Sequence, residues 1–149
     1  MNPCLCGNPG SSGHGCANSS NPGGGWVWAT GESSTVGDTL TIEYGGMPPA
    51  KSALLFQGYN SINNGYGNTF GDGVRCVGAP VFRFPVRQTD GTGYTGFGAM
   101  FGDPAISSVG GVPFFGGDYL YQVWYRDPAQ FCTVTNTNST NCVRVTWTP

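Results

Sequence analysis

Six cysteines constrain this chain more than any other feature. They stand at positions 4, 6, 16, 76, 132 and 142 of 149 residues. Three crowd the N-terminus, one lies mid-chain, and two flank the segment TVTNTNSTN just ahead of the last apolar alternation. The count is even, there is no Cys-x-x-Cys, and the lone histidine, His14, sits among glycines. That combination reads as a disulfide framework from an oxidising compartment rather than a metal or redox centre. A Cys132–Cys142 bridge would close a hairpin loop of about ten residues, worth roughly 2–3 kcal/mol by chain entropy, and is the expected local pair. Cys16 is expected to take Cys6 or Cys4. The cysteine left over would reach Cys76 and tie the N-terminal arm to the sheet.

Between the cysteines the chain has little means of forming helices. Twenty-six glycines and eleven prolines are spread along it, and no stretch carries apolar residues at i, i+3, i+4 and i+7. Disorder is not the alternative, because aromatics reach 13% while charged residues fall to 9%, the reverse of a disordered composition. A single domain of this length buries roughly 70% of its unfolded surface, so disulfides reinforce a real core.

Strand signals begin after residue 25. Trp26–Thr30 is a short candidate. Thr35–Tyr44 alternates, with Leu40, Ile42 and Tyr44 on one face and Thr39, Thr41 and Glu43 on the other. Ala53–Gln57 is an apolar run, and Gly58–Gly73 reads as a polar loop. In Val81–Arg87, Phe82, Phe84 and Val86 share a face while Pro85 marks an edge or a bulge. Tyr94–Phe101 is a weak strand, and Tyr119–Arg126 is the strongest. Val143–Thr148 closes the domain with Val143, Val145 and Trp147 facing in. The predicted fold is all-β: an antiparallel β-sandwich, jelly-roll or Greek-key like, of about seven to nine short strands. Residues 1–25 form a Gly-rich, Cys-pinned arm with nothing apolar to bury, and residues 26–149 form the sandwich.

Function classes narrow next. With a net charge of −2 and six Lys plus Arg, the chain lacks the cations that a polyphosphate partner requires, so nucleic acid and anionic membranes are not expected. No apolar run approaches the ~20 residues of a membrane span. No leader precedes Cys4, so the chain reads as a mature or excised secreted domain with an added initiator Met.

No catalytic residue is assigned. His14 has no evident partner, no Gly-x-Ser-x-Gly elbow occurs, and nothing brings two of Asp72, Asp103, Asp118 and Asp127 together for paired-carboxylate chemistry. Calcium is the one cofactor suggested, through Asp72 and Asp118 beside glycines, although turn chemistry explains the same residues. Arg75 and Arg126 read either as a carboxylate clamp or as internal donors to loop carbonyls. Trp26, Trp28, Trp124 and Trp147, with Tyr59, Tyr66 and Tyr94, could form a glycan-stacking platform; Tyr59, Tyr66, Trp26 and Trp28 are the candidate residues kept, Tyr59 and Tyr66 being placed in a polar loop. Trp124 and Trp147 belong to good strands and are expected to be at least partly buried. Asn18-Ser19-Ser20 and Asn138-Ser139-Thr140 match a glycosylation sequon.

Several blocks resemble a known domain. They are Cys4-Leu5-Cys6-Gly7-Asn8 with Gly13-His14-Gly15-Cys16, Gly46-Met47-Pro48-Pro49, and Ala53-Leu54-Leu55-Phe56-Gln57-Gly58. Phe70-Gly71-Asp72-Gly73-Val74-Arg75-Cys76 and Tyr121-Gln122-Val123-Trp124-Tyr125-Arg126-Asp127-Pro128 complete the set. Together, over residues 4–148, they resemble a Gly-rich, Cys-containing domain of uncharacterised function near the C-terminus of large secreted or surface proteins of planctomycete-like bacteria. The resemblance implies an extracellular setting and carries over no catalytic residue. It departs at Cys132 and Cys142, which stand in a region otherwise free of cysteine.

The first expectation is therefore a secreted or cell-surface structural or adhesive β-domain, self-assembling into a layer or fibre, with the arm packing on a neighbouring copy. Low net charge suits such association. The second is a carbohydrate-binding module for polysaccharide, and the third an extracellular hydrolase.

Overall fold

The structure is a computed structural model that describes residues 3–129 and 131–149. It is nearly all β. A three-stranded antiparallel sheet is built from β1 (Trp26–Thr30), β2 (Thr41–Gly45) and β10 (Thr95–Gly98) in the order β1-β2-β10. A larger antiparallel sheet is centred on β3 (Ser52–Gly58) and β11 (Gly117–Arg126). Its outer positions are filled by broken strands. β12 (Thr137–Ser139) and β13 (Val143–Trp147) both pair with β11, while β8 (Phe82–Arg83) and β9 (Arg87–Gln88) both pair with β3. The β8–β9 break falls at Phe84-Pro85, where the imide nitrogen has no proton for the ladder, so Pro85 does sit on an edge.

The two sheets pack face to face as a sandwich. Val27, Ile42, Tyr44 and Phe97 of the small sheet meet Leu55, Tyr121, Val123, Tyr125, Val145 and Trp147 of the large one in a single buried cluster. Complete burial of a side chain such as Leu55 or Val123 contributes roughly 1.5–3 kcal/mol. The expected alternation thus holds through Leu40, Ile42 and Tyr44, although only Thr41–Gly45 is strand. The residues ahead of it form a loop in which Asp38 accepts from the backbone of Leu40 (2.8 Å) and Ser107 (2.8 Å). Phe82, Phe84 and Val86 do not share a face: Phe84 is buried, while Phe82 and Val86 are exposed. The break at Pro85 disrupts the two-residue period. A one-turn helix, α1 (Ile106–Val109), plugs the core with Ile106.

The reach of residues 59–81 is not legible in the sequence. Gly58–Gly73, read as a polar loop, contains β4 (Asn60–Ser61) and β5 (Asn68–Phe70), which pair with β7 (Val77–Gly78) and β6 (Gly73–Arg75) at or just after its end in the same excursion. It folds back over the outer face of the large sheet. β11 is therefore buried on both faces: Tyr121, Val123 and Tyr125 point to the core, and Gln122, pointing the other way, is also fully buried. Gln122 donates Nε2 to the carbonyls of Val74 (2.8 Å) and Thr140 (2.8 Å) and accepts from the Cys76 amide (3.1 Å).

The disulfides correct the expected pairing. Cys4 bonds Cys16, as one of the two alternatives had it, but Cys6 bonds Cys132 and Cys76 bonds Cys142. The reason lies in β12 and β13. They return along the same edge of β11, with Arg126 opposite Thr137 and Tyr121 opposite Val143. TVTNTNSTN is therefore not a simple hairpin loop: after a bent start its Thr137–Ser139 pairs with β11, and the chain goes on to place Cys142 against Cys76 rather than Cys132. The arm packs on its own domain. Cys16, Ala17 and Asn18 are buried in the domain itself, and Asn18 donates to the Gly46 carbonyl (2.7 Å) and the Tyr125 hydroxyl (3.0 Å).

Candidate functional site

The solvent face of the small sheet carries a strip of aromatic rings. In β1 the period of two puts Val27 in the core and Trp26 and Trp28 outside. Across the sheet Trp26 faces Gly45, Trp28 faces Glu43, and Glu43 faces Gly96. The glycines are what admit the rings. A Cβ at Gly45 would run into the Trp26 indole, and one at Gly96 into the Phe101 ring, so both side chains lie across bare backbone. Trp26 and Trp28 stack at 4.0 Å with 23° between planes, Trp26 meets Tyr94 at 6.2 Å, and Tyr94 meets Phe101 at 6.1 Å.

One carboxylate sits in this row. Glu43 accepts from the Tyr94 hydroxyl at 2.7 Å. Chiefly because of that bond, the Tyr94 phenol is pushed up to about 12. Trp28 is 49% exposed and presents the open end of the stack. An open depression of about 500 Å³, bordered by Asn21, Met47, Pro49 and Thr92, adjoins the strip at Gly46. The chemistry on offer is a row of stacked and tilted aromatic rings with a carboxylate acceptor bonded to one of them. The rings of tyrosine and tryptophan supply apolar contact with a polar rim.

The four residues singled out from the sequence divide. Trp26 and Trp28 belong to the strip. Tyr59 and Tyr66 do not; they are 59% and 60% exposed, and Tyr59 sits edge-on to Tyr119 of the large sheet at 6.3 Å. Tyr94, which the sequence also offers for the platform, does belong to it; sequence reasoning missed Phe101 and Glu43. The available signal was Gly45 and Gly96, glycines inside strands that mark a close approach by another group.

The calcium candidates do not meet. Asp72 is fully buried, its amide pairs with Thr137, and its Oδ1 accepts from the Thr133 hydroxyl at 2.7 Å. Asp118 lies at the other end of β11, accepts from Thr146 at 2.6 Å and stands 3.8 Å from Arg144. Eight residues of strand separate the Thr137 partner Arg126 from Asp118, about 26 Å. Among the described residues no three His, Cys, Asp or Glu side chains cluster for a metal. His14 is engaged within the arm through the Gly24 carbonyl at 3.1 Å. Both sequon asparagines, Asn18 and Asn138, are buried and bonded inside the fold.

Arg75 donates Nε to the Val77 carbonyl at 2.8 Å, the internal role, while its guanidinium lies 5.6 Å from the ring centres of both Phe56 and Phe70. Arg126 lies over Trp124 at 5.5 Å.

Compared with family models, curated proteins and solved structures, the chain matches none.

Proposed function

We propose that this protein is an extracellular, non-catalytic adhesive module that holds a neutral polysaccharide on the Trp28-Trp26-Tyr94-Phe101 strip. The observation that carries the reading is the continuity of that strip across the small sheet, from β1 to the residues flanking β10, with Glu43 of β2 beside it. Aromatic faces accept the apolar face of a pyranose, and a carboxylate accepts from its hydroxyls. Three disulfides suit an oxidising, extracellular-like setting. The test is retention on insoluble neutral polysaccharides and affinity electrophoresis in soluble ones. Trp28→Ala is expected to weaken retention about tenfold or more, as loss of an aromatic anchor does, and Glu43→Gln to weaken it less. Tyr59→Ala and Tyr66→Ala leave it unchanged. Absence of retention on every neutral polymer, or retention indifferent to Trp28→Ala, sinks the proposal.

A second reading, association between copies, has its own support. Val36, Phe114 and Phe115 are 72%, 71% and 76% exposed, and the Thr35 hydroxyl bonds the Phe114 carbonyl at 2.7 Å, which brings the three to one end of the sandwich. Sedimentation velocity on the wild type and on a Phe114→Ser/Phe115→Ser variant decides it: a concentration-dependent oligomer lost in the variant supports it, and a monomer throughout removes it.

A further inference from the structure

We propose that the outer face of the large sheet is a second binding site, for an acidic polysaccharide bearing uronate carboxylates. It is separate from the aromatic strip and stands whether or not the strip binds. The few cations of the chain are unevenly placed. Of the six Lys and Arg in the chain, Arg87 is paired with Asp103, Arg144 stands beside Asp118, and Lys51 lies outside the groove. The other three, Arg75, Arg83 and Arg126, line two adjoining depressions on one face.

The first depression, about 90 Å³, has Phe56 and Phe70 in its wall with Arg75 and Arg83; the second, about 240 Å³, runs past Val86 to Arg126. They share Leu54 and Trp124, so they form one groove. Among the described residues no carboxylate lines either part. The acids closest in sequence are turned away and fully buried: Asp72 is held by Thr133, and Asp127 by the Ser19 backbone amide and hydroxyl.

The groove's polar groups are unspent. The Arg83 guanidinium makes no hydrogen bond or ion pair with any described residue, and neither does that of Arg126, which only overlies Trp124. Arg75 is held rigid by its Nε bond to Val77 and by the two flanking phenylalanine rings, which leaves its terminal nitrogens for a ligand. The indole nitrogen of Trp124, in the wall common to both depressions, is buried without a partner. Guanidinium forks match carboxylates in plane and can bind them bidentately, and Phe70 and Trp124 offer apolar faces between the cations. Arg83 and Arg126 stand in different depressions, so a ligand that meets both is an extended polymer with repeated anions. Nucleic acid fits less well, because three phosphate contacts supply only a small counterion-release term at physiological salt.

The experiment uses the oxidised wild-type chain with polygalacturonate, its methyl ester, and single-stranded DNA, compared by affinity electrophoresis and calorimetry. Arg83→Gln/Arg126→Gln removes two exposed side chains, and its thermal melt confirms that it folds. The expected result is binding of polygalacturonate but not of the uncharged ester, weakened about tenfold or more in the double variant and unchanged in Trp28→Ala. The proposal is overturned if polygalacturonate does not bind at low salt, if the double variant binds as wild type, or if the ester binds equally. DNA bound as tightly as the uronate also overturns it, in favour of unselective charge attraction. Loss of neutral-polymer retention in Trp28→Ala is read separately, so the fate of the strip does not decide that of the groove.

Discussion

Replacing Gln122 by Leu tests whether the excursion over the outer face belongs to the folded core or merely rests on it. The side chain is fully buried and completes three backbone groups: the carbonyls of Val74 and Thr140 at 2.8 Å each and the Cys76 amide at 3.1 Å. Leucine has nearly the same volume, so no large cavity opens, but the three groups are stranded away from water. A buried group left unsatisfied costs about 1–3 kcal/mol. Some of the total is recovered by relaxation and by the added apolar contact, so the expected loss is about 3–5 kcal/mol, a large share of a typical domain stability of about 5–15 kcal/mol. Denaturant titration of the oxidised protein measures it as a shift of midpoint at constant slope. Hydrogen exchange adds a local reading, because the Cys76 amide should lose protection even where the Cys76–Cys142 bond keeps the chain nearby. A loss below about 1 kcal/mol, with Cys76 still protected, would refute the claim that this glutamine fixes the outer layer.

Other outcomes follow from the framework and the strip. Non-reducing peptide mapping should yield Cys4–Cys16, Cys6–Cys132 and Cys76–Cys142; a Cys132–Cys142 peptide would contradict the return-strand geometry. Cys6→Ser/Cys132→Ser, which opens a separation of 126 residues, should cost about 5 kcal/mol, against about 3 kcal/mol for Cys4→Ser/Cys16→Ser with a separation of 12, judged by denaturant midpoints. Tyr94 keeps its proton in the folded state up to about 12 against an ordinary 10.0, so its contribution is intact below about pH 10 and is lost as pH rises towards 12. Difference absorbance of tyrosinate between wild type and Tyr94→Phe checks this, and Glu43→Gln should bring the transition down. Gly45→Ala should displace the Trp26 ring and quench the indole stacking signal in near-UV dichroism, while Gly91→Ala, which meets nothing within 4 Å, should not.

What the sequence showed was local periodicity. Leu40, Ile42 and Tyr44, then Val145 and Trp147, are apolar at every second position because one sheet face is buried and the other is not, and they stand in the core as read. What it hid was any arrangement made by segments remote in sequence. Gln122 looks like the outward residue of a half-buried strand, and only the return of residues 59–81 makes it interior. The cysteines failed for the same reason. Closeness in sequence favoured Cys132 with Cys142, but pairing of Thr137–Ser139 and then of β13 along β11 carries the chain past Cys132 and brings Cys142 to Cys76.

The same logic explains why the two surfaces were unequally legible. Trp26, Trp28 and Tyr94 could be nominated as aromatics, but Phe101 reaches the strip from the turn after β10, over Gly96, and Glu43 from β2. The groove is further still from the primary structure: Leu54, Arg75, Arg83 and Arg126 come from four different stretches, and no spacing rule joins them. Yet a weak trace was present. In a chain where charged residues are only 9%, each arginine is an expensive choice, and Arg75 and Arg126 both neighbour aromatic strand residues. The structure shows what that trace meant. The charges that have carboxylate partners lie elsewhere on the fold, and the arginines without them collect where the outer face is aromatic.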